Sequence, residues 1–306
     1  LQKRRLAIRY YKGGNILSTS RKIFNVINNL FLMLCALSCL IPFINIAAIS
    51  LSSSSAVATG KVTLWPVNFS LESYRFVIEK PEFFRAFCIS VLKVLIGVPV
   101  NMVLTILLSY PLSKTTAEFK YRNFYMWFFI ITIVFSGGLV PWYMIISKVN
   151  LIDTFWALII PSAVPIYNVV ILTNFFKSVP KSIEEAAFID GASHWTILWR
   201  IFVPLSKPSI ATLVLFCIVT HWNSWFEGLI LMNTPDKYPL QSYLQTVVVN
   251  RDVKLMTTQE LQFLSIVSER TSRAAQVLVA TIPVLIVYPF LQKYFTTGII
   301  LGGVKE

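Results

Sequence analysis

Long runs of apolar residues dominate the chain, and short polar segments separate them. Six runs are each long enough for a membrane-spanning helix, which needs about 20 consecutive apolar residues. The runs cover residues 23–50, 87–112, 123–147, 154–176, 205–232 and 274–297. The pattern predicts an all-α membrane protein with a six-helix transmembrane bundle, in which residues 1–22 form an N-terminal tail and residues 23–306 form the membrane domain.

The composition supports a membrane environment. Hydrophobic residues make up 56% of the chain and charged residues 13%, which is about half the charged fraction of an average soluble domain. The basic residues behind the net charge of +13 lie between the apolar runs and do not follow one face. Membrane lipid is therefore the expected surrounding, and no nucleic-acid partner is expected.

Basic residues also predict the orientation of the bundle. The first 22 residues contain several Lys and Arg residues and no acidic residue, and cytoplasmic segments carry an excess of such residues. Both termini are therefore predicted to be cytoplasmic. The segment 181–204 then lies inside, whereas 51–86 and the long loop 233–272 lie outside.

The segment 181–204 predicts two short helices outside the membrane. Ser182 is followed three residues later by Glu185, which is the spacing of a capping box, so a helix is expected to begin here. Gly191 suits the left-handed conformation that ends a helix. A second helix is expected from about residue 193 to residue 202, where Pro204 would stop it.

The first of these helices is predicted to carry a docking face. Ala186 and Ala187 are small and would let another backbone approach closely. Charged side chains are expected to surround them, namely Glu184, Glu185 and Asp190. A soluble partner protein is therefore expected to bind this helix.

The order of these residues resembles the EAA signature of ABC importer permeases. The signature comprises Glu185-Ala186-Ala187, then Gly191, then Ile201-Phe202-Val203-Pro204, with Val203 where leucine is usual. Segments 64–74, 175–180, 221–226 and 298–305 resemble the carbohydrate-uptake group of this family. The similarity is to the smaller permease subunit of maltose-type and polysaccharide- or aldouronate-type importers.

This resemblance implies a type I ABC importer fold and a permease that moves an oligosaccharide or complex glycan across the cytoplasmic membrane of a bacterium. Segment 181–204 would be the coupling loop that docks into a separate ATPase. The implied partners are a second permease subunit, two ATPase subunits and an extracellular solute-binding protein, which loop 233–272 is long enough to contact. The chain would be no enzyme and hold no cofactor, because the ATPase would bind ATP and Mg.

Polar and aromatic residues of the fifth span are candidates for the substrate path, since polar side chains inside a membrane tend to face a cavity or another helix. On one continuous helix Asn223 and Glu227 would share a face, and Trp222 and Trp225 offer aromatic surface to sugar rings. The alternative is that both tryptophans belong to an interfacial belt and that Asn223 bonds across helices.

Other polar features have simpler interpretations. Lys93, in the second span, is expected to extend toward the outer surface, and Gly137-Gly138 is expected to break a helix or to pack closely. His194 and His221 are the chain's two histidines, so a histidine metal site is not expected.

Three classes of function stay open. The first is a sugar importer, the second is the same importer fold for a polyamine or an anion, and the third is a stand-alone secondary transporter or membrane enzyme. The EAA-like segment argues against the third class, as does the lack of a detectable inverted repeat. The sequence does not name the glycan.

Overall fold

The computed structural model of the protein describes residues 19–249 and 269–303. Within these two stretches the regular structure is helical, and strand pairing is limited to an isolated bridge between Ser52 and Phe69. The described part thus confirms the predicted all-α class. Most of the predicted tail, residues 250–268 of the predicted outer loop and residues 304–306 lie outside the described residues, so the positions of both termini stay predictions.

The helices are numbered in chain order. They are α1 (Thr19–Ser50), α2 (Ser54–Ala58), α3 (Glu72–Glu79), α4 (Pro81–Ser113), α5 (Arg122–Val134), α6 (Leu139–Lys148), α7 (Ile166–Lys177), α8 (Lys181–Ile189), α9 (His194–Ile197), α10 (Val203–Leu205), α11 (Lys207–Asn223), α12 (Phe226–Leu231), α13 (Leu240–Val249) and α14 (Glu269–Gly303). Short 3-10 turns occur at Phe155–Leu158, Ile160–Ser162 and Pro235–Lys237, and a π-helical turn at Leu198–Phe202 joins α9 to α10.

Half of the predicted spans are uninterrupted helices. In the described part of the chain, α1, α4 and α14 each contain a stretch long and apolar enough to cross a membrane. The other three spans are pairs of helical segments, bent by 118° between α5 and α6, by 46° between the 3-10 turns and α7, and by 82° between α10 and α11. The prediction of six spans therefore holds only when each bent pair counts as one span, and the third pair then begins inside segment 181–204.

Glycine and proline lie at the bends. Gly138 precedes α6 with a φ of 86°, a conformation that glycine adopts without steric cost, so the helix break expected at Gly137-Gly138 is confirmed. Pro165 precedes α7, and Ser206, at the sharp bend before α11, lies between Pro204 and Pro208. Proline lacks the N–H that would continue a helix, and this local chemistry sets where the spans bend.

Helix α4 is the centre of the bundle. It packs against α7 and α11, and α11 also packs against α14. Buried apolar side chains fill the space between these helices, and Ile106, Leu172, Phe176 and Leu213 are among them. Helix α1 differs, because its apolar side chains are exposed from residue 23 to residue 44. Lipid or a partner chain must cover that surface in a membrane.

The two ends of α4 gather different parts of the chain. Arg85, in its second turn, pairs with Asp236, and Tyr110, near its last turn, contacts Glu184. A helix of 33 residues is about 50 Å long, so segment 181–204 lies at the opposite end from the loops around Arg85. This matches the predicted topology. The two ends are called the outer end and the coupling end below.

Candidate functional site

Helix α8 forms the first part of the coupling end, and it does not begin with the predicted capping box. Pro180 occupies the position before the helix, and no side chain caps the helix start. Lys181 is the first helical residue, so Ser182 lies inside the first turn and the prediction that Ser182 and Glu185 cap the helix is wrong. The fixed φ of Pro180 makes it a suitable start, since helix initiation needs no N–H there.

Gly191 ends α8 in the predicted left-handed conformation, with a φ of 78°. Its N–H donates to the carbonyl of Phe188 at 3.0 Å, and the N–H of Ala192 donates to the carbonyl of Ala187 at 2.9 Å. These two bonds form the Schellman pattern, which requires a residue that adopts positive φ at low cost. The glycine thus turns the chain tightly from α8 into α9.

The second short helix is longer than predicted. Ser193 accepts a hydrogen bond from the N–H of Thr196 at 3.3 Å and caps α9, and helical structure then continues through the π turn to Leu205. Pro204 does not stop it, because this proline stands in the first turn of α10, where a missing N–H is tolerated. The chain changes direction at Ser206 instead, where it meets α11.

The exposed face of α8 is smaller than predicted. Glu185, Ala186 and Asp190 are exposed, in agreement with a docking face. Ala187 is half-buried and packs against the core of the bundle, and Glu184 is half-buried and directed at α4. Helical periodicity turns Ala187 and Glu184 toward the bundle in this structure, and the docking role of these residues stays a prediction.

An ion pair joins helix α8 to the end of α4. Lys114, the residue that follows α4, pairs with Glu184, and their side chains are only 8% and 13% exposed. The lysine Nζ also lies 4.0 Å from the ring centroid of Tyr110 and 4.5 Å from that of Phe202, where the ring faces attract a cation. The hydroxyl of Tyr110 donates to Glu184 at 3.5 Å.

His194, at the start of α9, also contacts Tyr110. Its Nδ1 is 3.1 Å from the hydroxyl oxygen of Tyr110. One tyrosine therefore contacts both α8 and α9, and segment 181–204 is fixed to α4 by polar bonds as well as by packing. Lys114 was not among the functional residues predicted from the sequence. The available signal was the spacing of Tyr110 and Lys114, four residues apart and hence on one face.

At the outer end, the predicted substrate-path residues do not lie on one helix. Helix α11 ends at Asn223, Ser224 is extended, and α12 begins at Phe226. Asn223 and Glu227 therefore do not share a helical face, and that prediction is wrong. Trp222 is only 4% exposed, and its indole N–H donates to the carbonyl of Ala280 at 3.0 Å.

Packing by α13 accompanies this helix break. The hydroxyl of Ser242 donates to the carbonyl of Trp225 at 2.6 Å. Gly228 lies so close to α13 that a Cβ there would overlap the Ser242 hydroxyl and lie 2.7 Å from Pro239 Cδ. A residue with a side chain would therefore not fit at this position without a shift of α13.

Lys93 lies beside the break and does not extend toward the outer surface as predicted. Its side chain is 1% exposed, and its Nζ donates to the hydroxyl of Ser224. Glu227 is near enough to interact with the ammonium group electrostatically, although the two are not in ion-pair contact. One oxygen of Glu227 is buried and has no hydrogen-bond partner among the described residues.

Two cavities lie next to these elements. The outer cavity, of about 270 Å³, is lined by Trp225 together with Gln241, Gln245 and Thr281. The middle cavity, of about 630 Å³, lies between α4, α7 and α11, and its polar lining comprises Asn101, Ser162, Tyr167, Asn168 and Thr220. Of the four predicted path residues, Trp225 alone lines one of these two cavities. Each cavity combines aromatic surface with hydrogen-bonding groups, which suits a sugar ring with its hydroxyls.

A comparison with protein-family models gives one match over nearly the whole chain. Residues 14–300 match the model described as the binding-protein-dependent transport system inner membrane component. Two proteins of Bacillus subtilis (strain 168) are each 37% identical to this chain over 284 residues and 93% of its length. They are the polygalacturonan/rhamnogalacturonan transport system permease protein YtcP, matched over 99% of its length, and protein LplC, matched over 95%.

Two solved structures also match this chain. A chain from a bacterial ABC transporter involved in the import of the acidic polysaccharide alginate matches with a TM-score of 0.85 and 32% identity, covering 92% of this chain and 99% of that chain. A chain of a bacterial alginate ABC transporter, solved with an alginate pentasaccharide-bound periplasmic protein, matches with a TM-score of 0.54 and 15% identity. The second match supports the fold alone.

Proposed function

Since the chain belongs to the family of binding-protein-dependent transport system inner membrane components, we propose that it is a permease subunit of an ATP-driven ABC importer for acidic oligosaccharides. The membership confirms the resemblance drawn from residues 185–204. The observation that carries the substrate class is the 32% identical match, over 92% of the chain, to a transporter that imports an acidic polysaccharide. The relative named for polygalacturonan, which also consists of uronic acid units, supports it.

The proposed assembly contains a second permease subunit, two ATPase subunits and an extracellular solute-binding protein. The apolar surface of α1 is exposed over most of its length, so it offers a surface that lipid or a neighbouring subunit would cover. The outer loop 233–272 would contact the binding protein. ATP and Mg would be bound by the ATPase, and this chain would transmit the effect of hydrolysis without catalysing it.

The proposed location is the cytoplasmic membrane of a bacterium, with the coupling end and both termini on the cytoplasmic side. The family description, an inner membrane component, and the six candidate spans support this location. The basic residues of the N-terminal segment support the orientation.

Coupling would proceed through the contacts at the coupling end. The exposed residues Glu185, Ala186, Asp190 and Gly191 would dock into the ATPase. Movement of α8 would then pass to α4 through the Lys114–Glu184 pair, because a buried ion pair with several further contacts resists separation. A second route would lead from α9 and α10 through the bend at Ser206 into α11.

The substrate path would run through the two cavities at and below the outer end. Thr281 lines the outer cavity and Val284 lines the middle one, and these residues lie about one turn apart on α14. We place Trp225 at the entrance, with Asn223 and Glu227 close by. The buried Trp222 would support the path by packing. The amide groups of Asn101 and Asn168 would bind hydroxyl or carboxylate oxygens further in.

The proposal is tested by transport in liposomes that contain the complete transporter with its ATPase, second permease and binding protein. Uptake of oligogalacturonides is compared with uptake of neutral maltooligosaccharides of the same length, with and without ATP. We expect ATP-dependent uptake and a preference for the acidic sugars. Uptake driven by an ion gradient without ATP would refute the importer assignment, and a preference for the neutral sugars would refute the substrate class.

A further inference from the structure

The coupling end contains a cavity of about 260 Å³ to which the proposed transport cycle gives no role. It lies where three predicted spans meet, next to the last residue of α4, the first residue of α5 and the last residue of α7. Its charged lining comprises Lys114, Glu118, Arg122, Lys177, Lys181 and Glu184. Four basic side chains thus face two acidic ones.

The acidic residues do not neutralise this cavity. Glu184 is engaged by Lys114 in the ion pair described above. Glu118 accepts the backbone N–H of Thr115 at 2.8 Å, and this bond holds the pKa of its carboxyl below the ordinary value. The charge of Glu118 also attracts Lys181. Two cations of the cavity then remain without an acidic counterpart.

These two cations are Arg122 and Lys177. Neither has a carboxylate within ion-pair distance among the described residues, and their charges repel each other. Arg122 is held in place by bonds of 3.0 Å from its Nε to the carbonyl of Leu112 and from its Nη1 to Asn123. These bonds use two of its five N–H donors. An anion with several oxygen atoms would remove the repulsion and occupy the remaining donors.

The surface beside the cavity indicates what kind of anion would fit there. Helix α5, which Arg122 begins, has no buried residue. Tyr121, Phe124 and Trp127 are exposed around its first turns, and exposed aromatic rings of this kind gather at the depth of lipid headgroups. Apolar side chains continue along the helix toward Val134. A lipid with its phosphate in the cavity would have an apolar helix face for its acyl chains.

We propose that this cavity binds the phosphate of an anionic phospholipid such as phosphatidylglycerol. Arg122 and Lys177 donate to the phosphate oxygens, Lys181 adds a third positive charge, and the acyl chains lie along the exposed face of α5. Basic pockets between transmembrane helices bind lipid headgroups in this way. Because Lys181 belongs to the coupling helix α8, the bound headgroup connects that helix to α5 and α7.

The site is tested by lipid binding to the purified transporter complex after its native lipids have been removed in detergent. Native mass spectrometry follows the titration with phosphatidylglycerol, and phosphatidylethanolamine serves as the lipid without net charge. The variants are Arg122→Gln, Lys177→Gln and the double variant. The control is Lys120→Gln, which removes the same charge two residues before α5, at an exposed position that does not line the cavity.

Each cavity variant is expected to weaken phosphatidylglycerol binding about fivefold and the double variant about 25-fold, since each basic residue near a membrane surface contributes about 1 kcal/mol. The control variant is expected to bind as the unaltered protein does. Lys177 is exposed, so its variant should fold normally and keep its thermal unfolding midpoint.

Equal binding by the double variant, or equal binding of phosphatidylethanolamine, would overturn the proposal. Competition with inorganic phosphate distinguishes a lipid headgroup from a soluble phosphate ion as the ligand of the cavity. If inorganic phosphate displaces phosphatidylglycerol completely at equal concentration, the site takes a soluble anion and the lipid assignment is wrong. The measurement needs no transport, so its failure would leave the proposed import function untouched.

Discussion

Two buried lysines belong to α4 and its C-terminal boundary, and they have different partners: Lys93 lies inside the helix and Lys114 follows its last residue. Lys114, at the coupling end, pairs directly with Glu184 and lies against two aromatic rings. Lys93, in the outer half of α4, donates to the hydroxyl of Ser224, while Glu227 lies beyond ion-pair contact. The first charge is fully compensated and the second is not.

This difference in charge compensation indicates that the two regions around these lysines have different functions. A buried charge with complete partners holds its geometry, because every alternative position leaves a charge unpaired in a poorly polarisable environment. A buried charge with an incomplete set can change partners when the surrounding elements move. We therefore expect the coupling end to act as a rigid connector and the helix break at the outer end to change shape during transport.

The largest effect is expected from Lys114→Met, which leaves Glu184 buried without its partner. Loss of one member of a buried ion pair costs about 3–5 kcal/mol, so the thermal unfolding midpoint of the complex and its association with the ATPase should both fall. Lys120→Met, at an exposed position of the same loop, serves as the control. The double variant Lys114→Met/Glu184→Leu should regain much of the stability, and an unchanged midpoint in the single variant would contradict the connector role.

The next largest effect is expected from Gly228→Ala at the outer break. The added Cβ would overlap the Ser242 hydroxyl, and overpacking of this kind costs about 1–3 kcal/mol. Uptake should fall while ATPase association in detergent stays normal. Gly137→Ala is the matched control, since a Cβ there meets no atom within 4 Å. Equal uptake by both variants would show that the close contact with α13 is not required.

An effect on stability of about the same size is expected from Lys93→Met. The change removes the hydrogen bond to Ser224 and leaves Glu227 without a nearby positive charge, which costs about 1–3 kcal/mol for an unsatisfied buried group. Transport assays should show a loss of uptake while the ATPase still docks normally. Lys114→Met is expected instead to weaken ATPase docking. If both lysine variants lost docking to the same degree, the two ends would not differ in task.

Ala186→Trp should leave the fold intact and weaken ATPase association, because Ala186 is exposed on α8. Ala187→Trp should instead lower the unfolding midpoint, because Ala187 packs against the core. The pair is compared by pull-down of the ATPase and by thermal unfolding. Weakened docking without destabilisation in the Ala187 variant would place that residue on the docking face after all.

The smallest effect concerns Asp153, a residue of the outer end that pairs with Lys237. The hydrogen bond from Lys237, and then that from the Asn233 N–H, hold the pKa of Asp153 below its ordinary value near 3.8. Its contribution to stability is therefore complete above the ordinary pKa and is lost as the pH falls through the lower folded value. Asp153→Asn should reduce this acid sensitivity slightly in unfolding measured from pH 5 downward, whereas an unchanged acid profile would contradict the pairing.

Features that depend on a few neighbouring residues could be predicted from the sequence. The lengths of the apolar runs gave the number of candidate spans, since a bilayer requires a fixed helix length. Gly191 predicted the turn between α8 and α9, and Gly137-Gly138 predicted the break between α5 and α6, because positive φ is a local property. The order of residues 185–204 indicated the family.

Features that depend on distant residues were decided by the tertiary structure alone. The predicted span 205–232 is interrupted at Ser224. There Ser242 bonds the carbonyl of Trp225, and Gly228 lies against Ser242 and Pro239, so the break depends on contacts with residues outside the span. Lys114 and Glu184 are 70 residues apart, and only the packing of α8 against α4 makes them partners. Periodicity fixes which residues share a helix face, but which face meets a neighbour follows from how the whole bundle buries its apolar surface and compensates its charges.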